Sequence, residues 1–212
     1  MKKNLIRIGI FLAIIGCMIA VWPLGVITKE SESKSKAAIY EDSGPIKDAV
    51  DYKQTFIPKE NYIETISIQM NRDNTFQKGY EGKVLFTLTD ENDEVISQTV
   101  TEVNQIINKD YSEFEINASV KKGQLYTYTV VVTECESEGP SVRFGDRVDI
   151  GLEENQILSY GGTDFPAYST VALYRYRTEL AWWDILQFDA ILLFISSLLL
   201  FQRFKENRLE NE

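Results

Sequence analysis

Four stretches in the middle of this chain alternate apolar and polar residues with a period of two. In 64–70, Ile66, Ile68 and Met70 fall on one side and Thr65, Ser67 and Gln69 on the other. In 83–89, Val84, Phe86 and Leu88 oppose Lys83, Thr87 and Thr89. In 113–120, Phe114, Ile116, Ala118 and Val120 oppose Glu113, Glu115, Asn117 and Ser119. In 126–133, Tyr126, Tyr128, Val130 and Val132 share a face. Strand side chains point to opposite faces in turn, whereas a helix repeats every 3.6 residues. Each stretch therefore predicts a half-buried antiparallel strand.

Turn residues separate the strands. Asp90-Glu91-Asn92-Asp93 joins 83–89 to 94–103 as a hairpin, Lys121-Lys122-Gly123 joins the next pair, and Gly139-Pro140 and Gly161-Gly162 mark later loops. Seven or eight short strands with no helix between them predict an all-β body of two packed antiparallel sheets over 51–180. Residues 28–50 open on a Ser/Lys/Glu run without apolar periodicity, which reads as a stalk.

Apolar runs lie at both ends. Leu5 to Ile27 contains one charge, Arg7, close enough to the end to snorkel. A bilayer core of ~30 Å needs ~20 apolar residues in a helix, and this run supplies them. Lys2, Lys3 and Arg7 mark its first end as cytoplasmic. Ile14-Ile15-Gly16-Cys17 also resembles a bacterial lipobox, but the residues after Cys17 stay apolar where a lipidated cysteine would open a polar tether. The second run follows Trp182-Trp183, reaches Phe201 and is followed by Arg203, Lys205 and Arg208. Aromatic outside and basic inside matches the polarity of the first. The expected layout is a tip and first membrane helix over 1–27, an outward stalk over 28–50 and a sandwich over 51–180. A second membrane helix follows over 181–203, with a cytoplasmic tail over 204–212. The expected location is a bacterial cell membrane with both termini inside.

Within the second run, Asp184, Gln187 and Asp189 are polar. A charge at mid-bilayer costs ~2.5–3.5 kcal/mol on insertion scales. These residues therefore either lie at the wet interface or pair with a partner's membrane helix.

The net charge is −10, and it resides in the middle, since the first 27 residues carry three bases and no acid. Such a body is a poor partner for phosphate polymers. The chain has no histidine, which excludes Ser-His-Asp and Cys-His catalysis and the commonest transition-metal ligand. Its two cysteines, Cys17 and Cys135, lie in unlike surroundings and are not expected to pair. The acidic run 90–94 fails as an EF-hand loop because the sixth place is Val95, so it reads as a hydrated hairpin tip, with an irregular Ca²⁺ site as the alternative. No cofactor or metal is expected.

The segments "TFIPKENYIETISIQM", "GKVLFTLTDENDEVISQTV" and "FEINASVKKGQLYTYTV" together resemble the carbohydrate-binding-module-like jelly rolls found as outward domains of Gram-positive membrane proteins. That resemblance covers roughly 52–178. It implies a jelly-roll body and an association with surface-glycan assembly, and it transfers no sugar-binding residue.

The candidate binding surface comes from the residues themselves. Tyr126 and Tyr128 share a face with valines and read as core. Tyr160, Phe165 and Tyr168 lie in the loop 156–168 beside a glycine pair, and Tyr174 and Tyr176 alternate with Arg175 and Arg177. Aromatic rings can stack on sugars, and Arg143, Arg147, Arg175 and Arg177 offer forks to carboxylates. No carboxylate pair stands in a recognisable hydrolytic setting. The reading is a non-catalytic accessory subunit that binds an envelope glycan or a companion protein; the alternative is a self-associating surface scaffold.

Overall fold

The structure is a computed structural model. It describes residues 10–11, 14–16, 28–34, 37–47, 49–72, 81–135, 139–147, 156–179, 183, 186–187 and 189–198. The chain divides into two compact units, one formed by 1–29 together with 179–212 and the other by 30–178.

Thirteen strands are described: β1 Thr28–Lys34, β2 Ala37–Pro45, β3 Tyr52–Phe56, β4 Tyr62–Asn71, β5 Lys83–Thr89, β6 Val95–Glu102, β7 Asp110–Ser119, β8 Tyr126–Thr133, β9 Ser141–Arg147, β10 Leu158–Tyr160, β11 Thr163–Phe165, β12 Tyr168–Thr170 and β13 Ala172–Glu179. One sheet runs β11-β10-β3-β8-β5-β6. The other runs β1-β13-β4-β9-β12, with β7 also paired to β4 and β2 to β9. From β3 onward the chain changes sheet at most of its connections, which is how a two-layer winding brings distant segments side by side.

β12 and β13 form one path that exchanges partners at Val171. Its N–H donates to the Arg143 carbonyl (2.9 Å), while its own carbonyl accepts from the Gln69 N–H (3.0 Å). Beyond this point β13 pairs with β4, and before it β12 pairs with β9.

The alternating residues meet between the sheets. Phe86 stacks on Phe114 across the interface at 4.6 Å, and Phe56 stacks on Tyr174 at 4.8 Å. Such pairs add ~0.5–1.5 kcal/mol beyond area burial. Polar residues are buried here too. The Gln54 side-chain oxygen accepts from the Thr170 N–H at 3.0 Å and from its hydroxyl at 3.2 Å, and Tyr52 shares a hydrogen bond with Thr170 at 3.0 Å.

One strand departs from simple alternation. Thr65 and Ser67 lie on the outer face of β4 yet are buried. Arg175 of β13 reaches Glu113 of β7 at 3.4 Å across the intervening β4, and also Glu32 of β1 at 3.5 Å. The bridge passes over the small side chains. In β7, Asn117 has φ 47°, and the register with β4 shifts between Ile63 and Thr65. The bulge leaves the alternation of 113–120 intact: Phe114, Ile116 and Val120 are buried and Ala118 packs against the core, while Glu113, Glu115, Asn117 and Ser119 are exposed.

The expected stalk is corrected in part. Residues 28–34 form β1 and 37–45 form β2, and β2 pairs along β9 from Ala37 opposite Arg147 to Pro45 opposite Ser141, with register shifts between Ala38 and Tyr40 and between Asp42 and Pro45. Backbone groups pair regardless of side-chain polarity, so a charged segment can complete a sheet edge. Ile46, just beyond, is fully buried.

Among the described residues no helix is long and apolar enough to cross a membrane. The described helical residues include 189–198. Most of the first expected span, Cys17 included, and Trp182, Asp184 and 199–212 lie outside the described residues.

Candidate functional site

The residues singled out in the sequence separate into three places. The first is an aromatic corner. Gly161 and Gly162, at φ 56° and 79°, close a two-residue hairpin between β10 and β11, a conformation that glycine adopts without a Cβ clash. The hairpin presents Phe165, which is 36% exposed. Phe165 meets Tyr168 edge-on at 6.4 Å, and Tyr168 meets Phe144 at 5.3 Å and 90°. Tyr160 faces elsewhere: its hydroxyl donates to the Pro45 carbonyl at 3.1 Å, and its ring lies 6.1 Å from Tyr52.

The second place is the core. Tyr174 and Tyr176 are buried, so they leave the set of ligand-facing residues. Their alternation with Arg175 and Arg177 sends the tyrosines inward and the arginines outward. Burial, more than the neighbouring tyrosines, holds the Tyr174 hydroxyl well above its ordinary value. Burial likewise pushes Tyr176 up to about 12, with the Glu60 carboxylate adding and a backbone hydrogen bond from Lys59 opposing.

The third place is the outer face of the β13 sheet. Arg175 joins Glu32 and Glu113 as described above. Arg177 pairs with Glu64 and stands 5.5 Å over the Tyr62 ring. Both forks are thus occupied by this chain's own carboxylates. Arg143 approaches Asp42 at 3.8 Å. The Arg147 side chain and Asp184 lie outside the described residues. Gln187 is exposed and Asp189 half-buried, both on helical backbone.

The run 90–94 is a turn organised by one carboxylate. Asp90 accepts from the N–H groups of Asn92 and Glu94, each at 2.9 Å. The hydrogen bond from Glu94, then that from Asn92, lowers its pKa. Among the described residues no group of three or more acidic or cysteine side chains is arranged to hold a metal.

Sequence reasoning missed a groove where the two sheets meet at β6 and β7. It has a volume of about 690 Å³ and is lined from β6, the following turn and β7, including Thr101, Gln105, Ile107, Glu113, Glu115 and Asn117. The strands do not pair as a ladder there. Instead the Ser97 hydroxyl donates to the Ile116 carbonyl at 3.0 Å and the Thr99 hydroxyl to the Glu115 carbonyl at 2.6 Å. The alternating hydroxyls Ser97, Thr99 and Thr101 were the available signal. Their meaning depended on which strand they would face.

No family model and no curated protein matches the sequence. Among solved structures, Xylanase10C from Cellvibrio japonicus in complex with xylopentaose aligns with 54% of this chain and 25% of its own, at 9% identity and TM-score 0.37. A structure of the Gx strain of infectious bursal disease virus aligns with 73% of this chain and 41% of its own, at 8% identity and TM-score 0.27. A mutant VP2 protein of that virus gives 74% and 37%, at 11% identity and TM-score 0.25. The chain spans a quarter of the xylanase and less than half of either viral protein. Likenesses at these scores carry no argument.

Proposed function

We propose that this protein is a membrane-anchored accessory subunit whose β-sandwich, a jelly roll in its winding, faces outward and binds an envelope glycan. A companion protein of a membrane complex is the alternative ligand.

The observation that carries the anchoring is the helical segment near the carboxyl end. Phe194 is 64% exposed, Ile191 58% and Leu186 45%, and Leu193, Ile195 and Leu198 are exposed as well. These side chains point in several directions around the helix. A helix in water hides one apolar stripe, whereas a helix that is apolar all round is suited to lipid or to a protein interior. Lys2, Lys3 and Arg7 ahead of the first apolar run, and Arg203, Lys205 and Arg208 after the second, favour two spans with both termini on the cytoplasmic side. Gln187 and Asp189 are then available to hydrogen-bond with a partner's membrane helix, and Asp184 would join them.

The binding role is supported by the groove, whose hydroxyls, amides and carboxylates can hydrogen-bond a hydroxyl-rich ligand. Mild detergent extraction from native membranes, followed by analysis of what co-purifies, tests this reading. A bound glycan or a stoichiometric membrane protein is expected. A lone monomer carrying neither would end it.

A further inference from the structure

We propose that the groove between β6 and β7 is the glycan-binding site, and that it takes a sugar chain bearing hydroxyl, acetamido or amino groups and no carboxylate or phosphate. This rests on the binding role proposed above and adds the site and the ligand class to it.

The first argument is hydrogen-bonding capacity that the described protein groups leave to solvent, and that a sugar can take over from water. Among the described residues the side chains of Thr101, Gln105, Glu115 and Asn117 line the groove with no hydrogen-bond or ion-pair partner. The bulge at Asn117, with φ 47°, redirects β7 at the groove. A sugar hydroxyl both donates and accepts, so amides, a threonine hydroxyl and a carboxylate can all be satisfied by one chain.

Charge comes second. The lining includes two glutamates and no lysine or arginine. Glu113 already faces Arg175, which leaves Glu115 as the unneutralised charge. An anionic ligand would meet repulsion there, and an amine would gain a charge-assisted hydrogen bond. Ile107 and Val100, 51% and 57% exposed, provide an aliphatic margin for the apolar face of a sugar ring.

A peptide strand is disfavoured. Strand addition needs free backbone acceptors along an edge. The Ser97 and Thr99 hydroxyls already occupy the Ile116 and Glu115 carbonyls.

The test uses the full chain in lipid nanodiscs and titration calorimetry with four probes: N-acetylglucosamine hexamer, glucosamine hexamer, galacturonate hexamer and oligolysine. The first two are expected to bind and the third to fail. Glu115→Gln should weaken the glucosamine hexamer roughly tenfold or more. Asn117→Gly, which keeps the backbone conformation, should weaken both hexamers, and Phe165→Ala should change neither. Thermal unfolding of each variant confirms that it is folded. Binding of neither hexamer, binding indifferent to both groove variants, or binding of oligolysine alone would overturn the proposal. Pull-down of native envelope glycan separates the two levels. Glycan retained by the groove variants but lost in Phe165→Ala would sink the groove and spare the binding role. Neither glycan nor a companion protein retained by the unaltered chain would sink both.

Discussion

Gln54 and Thr170 show how a single polar pair is kept inside an apolar sandwich. Thr170 donates both its N–H and its hydroxyl to one Gln54 oxygen, and Tyr52 shares a hydrogen bond with the same hydroxyl. Gln54→Leu keeps similar bulk but orphans a buried N–H, which should cost about 1–3 kcal/mol in urea unfolding. The Tyr128 hydroxyl, buried near Thr170 and Tyr174, makes no hydrogen bond of good geometry. Four buried tyrosines, Tyr52, Tyr128, Tyr174 and Tyr176, have raised pKa values, chiefly through burial. In the unfolded chain a tyrosine titrates near 10. Below that value both states are neutral, and the stabilisation is complete. As the pH rises from about 10 through the folded values, about 12 for Tyr176, the unfolded chain loses protons first and stability falls. Phenolate absorbance should therefore show these four of the eleven tyrosines ionising only as near-ultraviolet dichroism collapses. Asp90 acts in the opposite sense. Its lowered pKa contributes stability above the ordinary carboxylate range, and that contribution disappears as the pH falls through the folded value.

Among the elements, β2 departs furthest from its composition. It carries little apolar pattern, yet its backbone pairs along β9 and it leads to Ile46. The Ile46 N–H donates to the Pro140 carbonyl at 3.2 Å, and its own carbonyl accepts from the Gly139 N–H at 3.3 Å. A Cβ at position 139 would lie 2.6 Å from that carbonyl oxygen. Gly139→Ala should thus cost about 1–3 kcal/mol as an overpacked site. Ile46→Ala should cost about 2–5 kcal/mol as a core truncation. Were 28–50 only a tether, the Ile46 change would leave the unfolding midpoint where it was. β6 and β7 make the complementary point. Hydroxyl-to-carbonyl bonds join two sheet edges that no ladder joins, and a groove opens beside them.

At the scale of the whole molecule, charge and hydrophobicity are segregated along the chain. The body carries the acid, and the ends carry the apolar runs and most of their basic flanks. The ion pairs of the outer face, Glu32–Arg175–Glu113 and Arg177–Glu64, are partly exposed. Pairs of this kind contribute ~0–1 kcal/mol each and are screened by salt. Salt weakens these pairs and also screens the self-repulsion of an acidic body, so raising it should shift the unfolding midpoint only slightly. Protease added to intact cells should digest the body and leave the carboxyl tail protected. A protected body, or a tail cut from outside, would contradict the proposed topology.

The sequence by itself determined the inward faces of β4, β5, β7 and β8, because a period of two can be buried in only one way. It also determined the hydrated tip at 90–94 and the core positions of Tyr126 and Tyr128, since turn chemistry and alternation are local. It misjudged Tyr174 and Tyr176, where the alternation with arginine was visible but the inward side was not. It missed β1 and β2, because edge pairing is made by backbone groups that leave no side-chain signature. Only the tertiary structure decided that Arg175 would span β4 to Glu113, and that the Ser97 and Thr99 hydroxyls of β6 would donate to carbonyls of β7. Both depend on which distant strands become neighbours, and neighbour identity is a property of the packed sheets rather than of any segment.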